Sequence, residues 1–171
     1  MSVPALRFPE FEGDWESLRL GDIVVSVDAG WSPQCKERVA NDDEWGVLKT
    51  TSVVWEGFNH TKNKALPTKL KPRPHLQAIE GDILITRAGP VNRVAVIAYV
   101  PKTRSKLMIS DKLMRARIDN ENDAQFLSRI LGVAEVQNYF SARKSGLAEA
   151  QANISQTILN KTPITLPTLP E

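Results

Sequence analysis

The sequence predicts a mixed α/β (α+β) fold: one domain with a twisted mixed or antiparallel sheet, followed by a few C-terminal helices. Three observations carry this expectation. Apolar and β-branched runs of strand length occupy residues 23–27, 82–86 and 93–100, each bounded by turn-forming residues. In 113–118 Arg115 and Arg117 alternate with Met114, Ala116 and Ile118, the period-two pattern of a strand with one apolar face. After Asp119 the apolar spacing becomes helical. With 171 residues, 42% of them hydrophobic and 25% charged, the chain has the composition and length for one ordinary core.

From the N-terminus, a polar-apolar mix starting at Trp15 runs into the first strand at Ile23. Residues 28–44 hold Gly30, Pro33 and an Asn-Asp-Asp-Glu cluster at 41–44, so a loop is expected there. A short strand resumes at 45–49, and 50–54 continues the extended path. Between His60 and His75 stand Lys62, Lys64, Lys69, Lys71 and Arg73 with no carboxylate, and Pro67, Pro72 and Pro74 exclude a regular helix. This stretch reads as an exposed basic loop. The strands 82–86 and 93–100 are then joined by a tight polar connection, 87–92, and 107–109 and 113–118 extend the β region. Residues 120–123 offer N-caps for a helix through Phe126, Leu127, Ile130 and Leu131. A second helix carries Val136, Tyr139 and Phe140, and a short third one is expected over 153–159 with Asn153 as its cap. The tail from Ile164, with a proline every third or fourth residue, reads as an extended exit strand. Phe126, Ile130, Val136, Tyr139 and Phe140 are assigned to the core; Trp31, Trp45 and Trp55 are expected to anchor it too, with stacking on bases as the alternative.

Composition narrows the function classes. The longest apolar run, Val94 to Val100, has seven residues, against the roughly 20 needed to cross a bilayer. No secretory signal pattern opens the chain, and a cytoplasmic location without membrane attachment is expected. One cysteine and two histidines supply neither a disulfide framework nor a zinc cage, so no metal and no cofactor are expected. Phosphate-binding glycine motifs are missing, a Glu-x-Lys nuclease pattern is missing, and both histidines lie in the Pro/Lys-rich stretch, a poor place for an oriented general base. No catalysis is therefore expected from the chain itself.

Charge is distributed unevenly behind a net value of +2. Between Gly57 and Ile118 lie thirteen basic and three acidic residues, a local balance of +10 against −8 for the remainder. Such a stretch fits either a solvated surface balanced by nearby acids or a surface that tracks phosphates.

Seven segments, in order, resemble a known family. They are Trp-Glu-Ser-Leu-Arg-Leu-Gly-Asp at 15–22, Gly-Trp-Ser-Pro at 30–33, Trp-Gly-Val-Leu-Lys-Thr-Thr-Ser-Val at 45–53 and Gly-Asp-Ile-Leu-Ile-Thr-Arg-Ala-Gly-Pro at 81–90 with Asn-Arg-Val at 92–94. Lys-Leu-Met-Ile-Ser-Asp-Lys-Leu at 106–113, Ala-Asn-Ile-Ser-Gln at 152–156 and Pro-Ile-Thr-Leu-Pro-Thr-Leu-Pro-Glu at 163–171 complete the set. In this order the chain resembles a target recognition domain of the specificity subunit of Type I restriction-modification systems, with residues 1–171 as a single domain. The family pattern continues beyond such a tail into a spacer helix, so one recognition domain without its spacer is expected, as a natural half-subunit or an excised fragment.

The resemblance implies sequence-specific binding of one half of a bipartite double-stranded DNA target. The modification (methyltransferase) and restriction (endonuclease/translocase) subunits would be partners through the spacer. It makes Arg87, Asn92 and Arg93 candidates for reading bases, with Lys49, Thr50 and Thr51 beside them. Lys62, Lys64, Lys69, Lys71, Arg73 and Lys112 become candidates for phosphate contact, joined by Asn153 and Ser155 near a helix start and by Arg115 and Arg117 if their strand face points outward. Alternatives are a basic protein-interaction or RNA-binding module, the recognition segment of a single-chain restriction enzyme, and, more remotely, a small nuclease. An aromatic-rich strand pair for stacking RNA bases is missing.

Overall fold

A computed structural model describes residues 7–146 and 151–167. In chain order the first half contains β1 (Glu16–Arg19), α1 (Leu20–Ile23), β2 (Val24–Ala29), β3 (Gly46–Leu48), β4 (Val53–Val54), β5 (Gly57–Phe58) and β6 (Asn63–Ala65). The second half contains β7 (Ile83–Thr86), β8 (Ala88–Gly89), β9 (Ile97–Tyr99), β10 (Leu107–Met108), β11 (Leu113–Ile118), α2 (Ala124–Ile130), α3 (Ala134–Ser141), β12 (Ala152–Asn153), α4 (Gln156–Asn160) and β13 (Pro163–Leu166). The fold is mixed α/β, as its patterning predicts.

The organising element is an antiparallel sheet in the order β2-β11-β7-β9. Its strands send alternate side chains to opposite faces, and both faces are covered. Ile83, Ile85, Ile97, Met114 and Ala116 face one core, shared with Leu127, Val136 and Phe140 of the helices. Leu84, Val96, Ala98 and Leu113 face a second core with Val47, Leu48, Leu107 and Met108. That double coverage explains why 83–85 reads as an unbroken apolar run rather than an alternating one. Each fully buried aliphatic side chain contributes about 1.5–3 kcal/mol by leaving water. The second core is closed by a smaller sheet, β10-β3-β6, with β3 parallel to β10 and antiparallel to β6. Gly30 lies so close to this sheet that a Cβ there would stand 2.0 Å from the Ile109 carbonyl oxygen. Only glycine fits.

At the other end, β1 pairs antiparallel with β13, matching Glu16 to Leu166, so the first and last strands lie side by side. The tail segment is thus a strand, as expected up to Leu166; residues 168–171 lie outside the described ones. Asp123 caps α2 by accepting a bond from the Phe126 amide at 2.6 Å, and Phe126 packs edge-on against Trp15 with ring centroids 6.0 Å apart.

Several expectations need correction. Ile23 ends a helical turn and the strand starts at Val24, because Asp22 accepts a bond from the Arg19 amide and closes that turn locally. The basic stretch is not all loop: Asn63–Ala65 is a strand with Asn63 and Ala65 buried, its small side chains packing inward while Lys64 points out. The strand expected at 93–100 begins only at Ile97, after a 3-10 turn over Val91–Arg93. The third helix is Gln156–Asn160, capped by the Ser155 hydroxyl on the Ile158 amide, while Asn153 belongs to β12. Trp31 and Trp45 pack against the second core, but Trp55 is 53% exposed at the tip joining β4 to β5. Arg115 does not face solvent: it is buried in the second layer of the sheet and paired with Asp28.

Candidate nucleic-acid interface

The connection from β7 to β9 carries Arg87, Asn92 and Arg93, and its backbone is held tightly. Thr86 ends β7, and its hydroxyl accepts a bond from the Val96 amide at 2.9 Å while donating to the Arg93 carbonyl. This side chain replaces the ladder bond lost where Ala95 adopts φ 70, a left-handed conformation that costs a non-glycine residue about 1–2 kcal/mol. The Ala95 carbonyl accepts the Gln137 amide from α3 at 3.1 Å, and the Val91 carbonyl accepts the Lys144 ammonium at 2.9 Å. Burial lowers the Lys144 pKa. On the other flank β8 pairs with β12, Ala88 opposite Asn153, and the Ile154 amide donates to the Arg87 carbonyl at 2.9 Å. The projecting connection is therefore fixed on three sides.

A second projecting segment lies beside it. Lys49 leaves β3 and enters a 3-10 turn, Thr50–Ser52, in which the Ser52 amide and hydroxyl both donate to the Lys49 carbonyl. The Lys49 amide in turn donates to the Lys62 carbonyl at 2.9 Å. Arg93 Nη2 reaches the carbonyls of Thr50 at 3.1 Å and Val53 at 2.9 Å. The Arg87 amide meets the Lys112 carbonyl at 2.9 Å. An open cleft of about 410 Å³ is lined by Lys49, Thr50, Lys64 and Lys112 together with Ser32, Cys35, Ser110 and Asp111. Three segments far apart in sequence thus present their lysines to one hollow.

The remaining candidates divide by partner. Among the described residues, the side chains of Lys49, Lys62, Lys69, Lys71, Arg87, Asn92 and Lys112 make no hydrogen bond or ion pair. Lys64 is paired with Glu37 at 2.6 Å, which holds that carboxyl below the usual range. Arg73 lies over the Trp31 ring, 4.1 Å from its centroid, and Lys69 lines a neighbouring hollow with Trp31 and Lys36. Ser155 spends its hydroxyl on capping, and the Asn153 side chain accepts from Ser145 at 3.0 Å. Both stand away from the lysine cleft's lining. Arg117 is bound to Asp82 at 2.7 Å.

The sequence gives no hint of the cleft's acidic and thiol wall. Ser32 hydrogen-bonds Asp111 in both directions, hydroxyl to carboxylate and hydroxyl from amide. Burial raises the Cys35 thiol pKa, with Lys64 pulling the other way. These partners lie 79 residues apart, so no local spacing could reveal them. Among the described residues no group of three or more His, Cys, Asp or Glu side chains is placed to hold a metal ion, and no helix is long and apolar enough to cross a membrane.

Comparison with known proteins gives a consistent picture. The chain is 50% identical over 155 residues to the Type I restriction enzyme EcoEI specificity subunit of Escherichia coli, a match covering 90% of this chain and 26% of the relative. It spans about a quarter of the length of that curated relative. No family model matches. The fold is that of solved Type I specificity subunits. The one from M. genitalium superposes with a TM-score of 0.61 at 14% identity, over 96% of this chain and 37% of that one. The HsdS subunit from Thermoanaerobacter tengcongensis gives 0.61 at 16%, over 96% and 40%. A chain from a structure describing assembly of a type I R-M system gives 0.60 at 17%, over 97% and 36%.

Proposed function

We propose, from its kinship with Type I restriction-modification specificity subunits, that this chain is a target recognition domain that binds double-stranded DNA and reads one half of a bipartite site. It performs no bond-breaking of its own. Methyl transfer and cleavage belong to modification and restriction subunits, which a complete specificity subunit engages.

One observation supports this reading above the others: the convergence of Lys49, Thr50, Lys64 and Lys112 on a single cleft, directly beside the braced connection that carries Arg87 and Asn92. Recognition of DNA needs two kinds of contact. Positive charge near phosphates fixes the position of the protein, and a few rigidly held polar side chains at base edges choose the sequence. Lys49 and Lys112 at the cleft, and Lys62 next to it across the Lys49 backbone bond, supply the first kind. Arg87, with two parallel donors, suits guanine, and Asn92, with a donor and an acceptor, suits adenine. Both side chains are without intramolecular partners among the described residues. Their backbone, in contrast, is fixed, so little conformational freedom is lost on binding.

The test is to graft residues 1–171 in place of the corresponding domain of a complete specificity subunit and map the methylated sites. One half-site is expected to change to a new sequence while the other stays. Retention of both original half-sites, with the chimaera folded and active, overturns the proposal.

A further inference from the structure

Two turns that carry reading candidates meet at one side chain. Arg93 closes the 3-10 turn Val91–Arg93, its amide donating to the Pro90 carbonyl at 2.8 Å and its carbonyl accepting from the Thr86 hydroxyl. Its backbone is thus anchored to β7. From there Nη2 spans to the other turn and donates to two carbonyls, Thr50 at 3.1 Å and Val53 at 2.9 Å. One nitrogen with two hydrogens satisfies two acceptors, a geometry that a guanidinium nitrogen fits in a fixed plane. The bonds are charge-assisted and therefore stronger than neutral ones.

We infer that Arg93 is a positioning residue for recognition: it ties the Thr50–Val53 turn to the Arg87–Arg93 connection, so that both present their side chains to DNA as one rigid unit. The inference rests on the recognition reading above. It replaces the expectation that Arg93 itself reads a base. The two segments have no other side-chain hydrogen bond between them among the described residues, because the Thr86, Gln137 and Lys144 contacts all act within or behind the 87–95 connection. Without Arg93 the 87–95 connection keeps its supports, and the 50–54 turn keeps its local bonds from Ser52 to Lys49 and its pairing with β5 but loses its tie to that connection. Base choice by Thr50 or Thr51 would then depend on a residue that touches no base.

The experiment compares the chain with its Arg93→Ala and Arg93→Gln variants in two assays. In amide hydrogen exchange, residues 50–58 of Arg93→Ala are expected to exchange about tenfold faster or more, the equivalent of losing one bond to a charged group. Residues 83–99 should change far less. In selection from a randomised duplex pool at low salt, both Arg93 variants are expected to blur the base positions that Thr50→Ala or Thr51→Ala also blurs. The positions assigned to Arg87 by Arg87→Ala should stay sharp, and the salt dependence of binding should stay as in the parent. A purely structural loss would blur every position together. Unchanged exchange over 50–58, or loss of preference at one position shared with neither threonine variant, overturns the inference. Arg93→Gln, which keeps two amide hydrogens, serves the same comparison if the alanine variant unfolds. Failure of the parent chain to select any sequence would instead count against the recognition reading, and exchange alone would decide the coupling.

Discussion

Arg115 and Arg117 stand two positions apart on β11 and both approach Asp82, yet they carry different weight. Arg115 is 2% exposed; it binds Asp28 at 2.6 Å and the carbonyls of Gln77 at 2.8 Å and His75 at 3.0 Å. It therefore fastens the end of the basic stretch to the sheet. Its Nε faces Asp82 at 3.9 Å with no hydrogen bond. Replacing Arg115 by alanine empties the site of a 2% exposed guanidinium and leaves the carbonyls of Gln77 and His75 and the part-exposed Asp28 carboxylate without their shared partner, and is expected to cost at least about 1–3 kcal/mol in urea unfolding. Arg117→Ala should cost less, because that side chain is more than a third exposed and the buried Asp82 carboxylate keeps the Ile79 amide at 2.9 Å and the Arg115 guanidinium at 3.9 Å. Equal losses would refute this ranking. A second residue-scale prediction concerns Glu44, which the Arg38 guanidinium grips through two bonds of 2.6 Å and the Asn41 amide through one of 2.9 Å. These hold its carboxyl down at about 2, below its ordinary value. The sign follows directly: a lowered carboxylate pKa stabilises the fold above the unfolded value and the contribution is lost as pH falls through the folded one. Carboxyl titration by NMR should place Glu44 near its lowered value and return it toward the ordinary range in Arg38→Ala; an unchanged titration would exclude the Arg38 grip as the cause.

Elements differ in how far the sequence announces them. Strand β7 is legible as an unbroken apolar run, and β11, α2 and α3 are legible because each repeats an apolar period. The connection between β7 and β9 was legible only as polar. Its form depends on Thr86, on the left-handed Ala95 and on Gln137 from a helix 42 residues away, none of which leaves a local pattern. Likewise, Lys49 and Lys112 were separate candidates until β3 and β10 paired and brought their loops to one cleft. Strand β6 was hidden because its lysine and asparagine resemble loop composition, while its burial comes from a tertiary partner. The element-scale prediction uses Thr86. Val96 gives its amide hydrogen to the Thr86 hydroxyl within a buried turn, so Thr86→Val leaves that group and the Arg93 carbonyl without their partner. The expected loss is about 1–3 kcal/mol in urea unfolding. Thr86→Ser keeps the hydroxyl and should lose less. A valine variant as stable as the parent would show that the hydroxyl does not hold the connection.

At the scale of the whole molecule, a net charge of +2 conceals a separation that folding preserves. Glu16, Asp22, Asp119 and Glu121 line one hollow beside the paired β1 and β13 strands. Lys49, Lys64 and Lys112, three cations against the one carboxylate of Asp111, line another, served by β3, β6 and β10. On the recognition reading proposed above, a duplex is attracted to the lysine hollow and repelled from the acidic one, so charge would orient it before any base contact. The lysines are not equivalent in this. Lys64 already faces Glu37, and its ammonium releases fewer counterions on meeting a phosphate than one with no acidic partner. Lys62, Lys69 and Lys71 have no such partner among the described residues. Replacing these three by glutamine is expected to reduce the slope of log affinity against log salt by up to about 0.9 for each lysine that meets a phosphate, on every duplex alike. Lys64→Gln alone should reduce it by less than the average of the three. Titrations of the chain with a specific and an unrelated duplex at several salt concentrations read both effects. If the triple variant keeps the parent slope, those lysines belong to the solvated surface, and positioning on DNA would have to come from the cleft lysines and Arg87 alone.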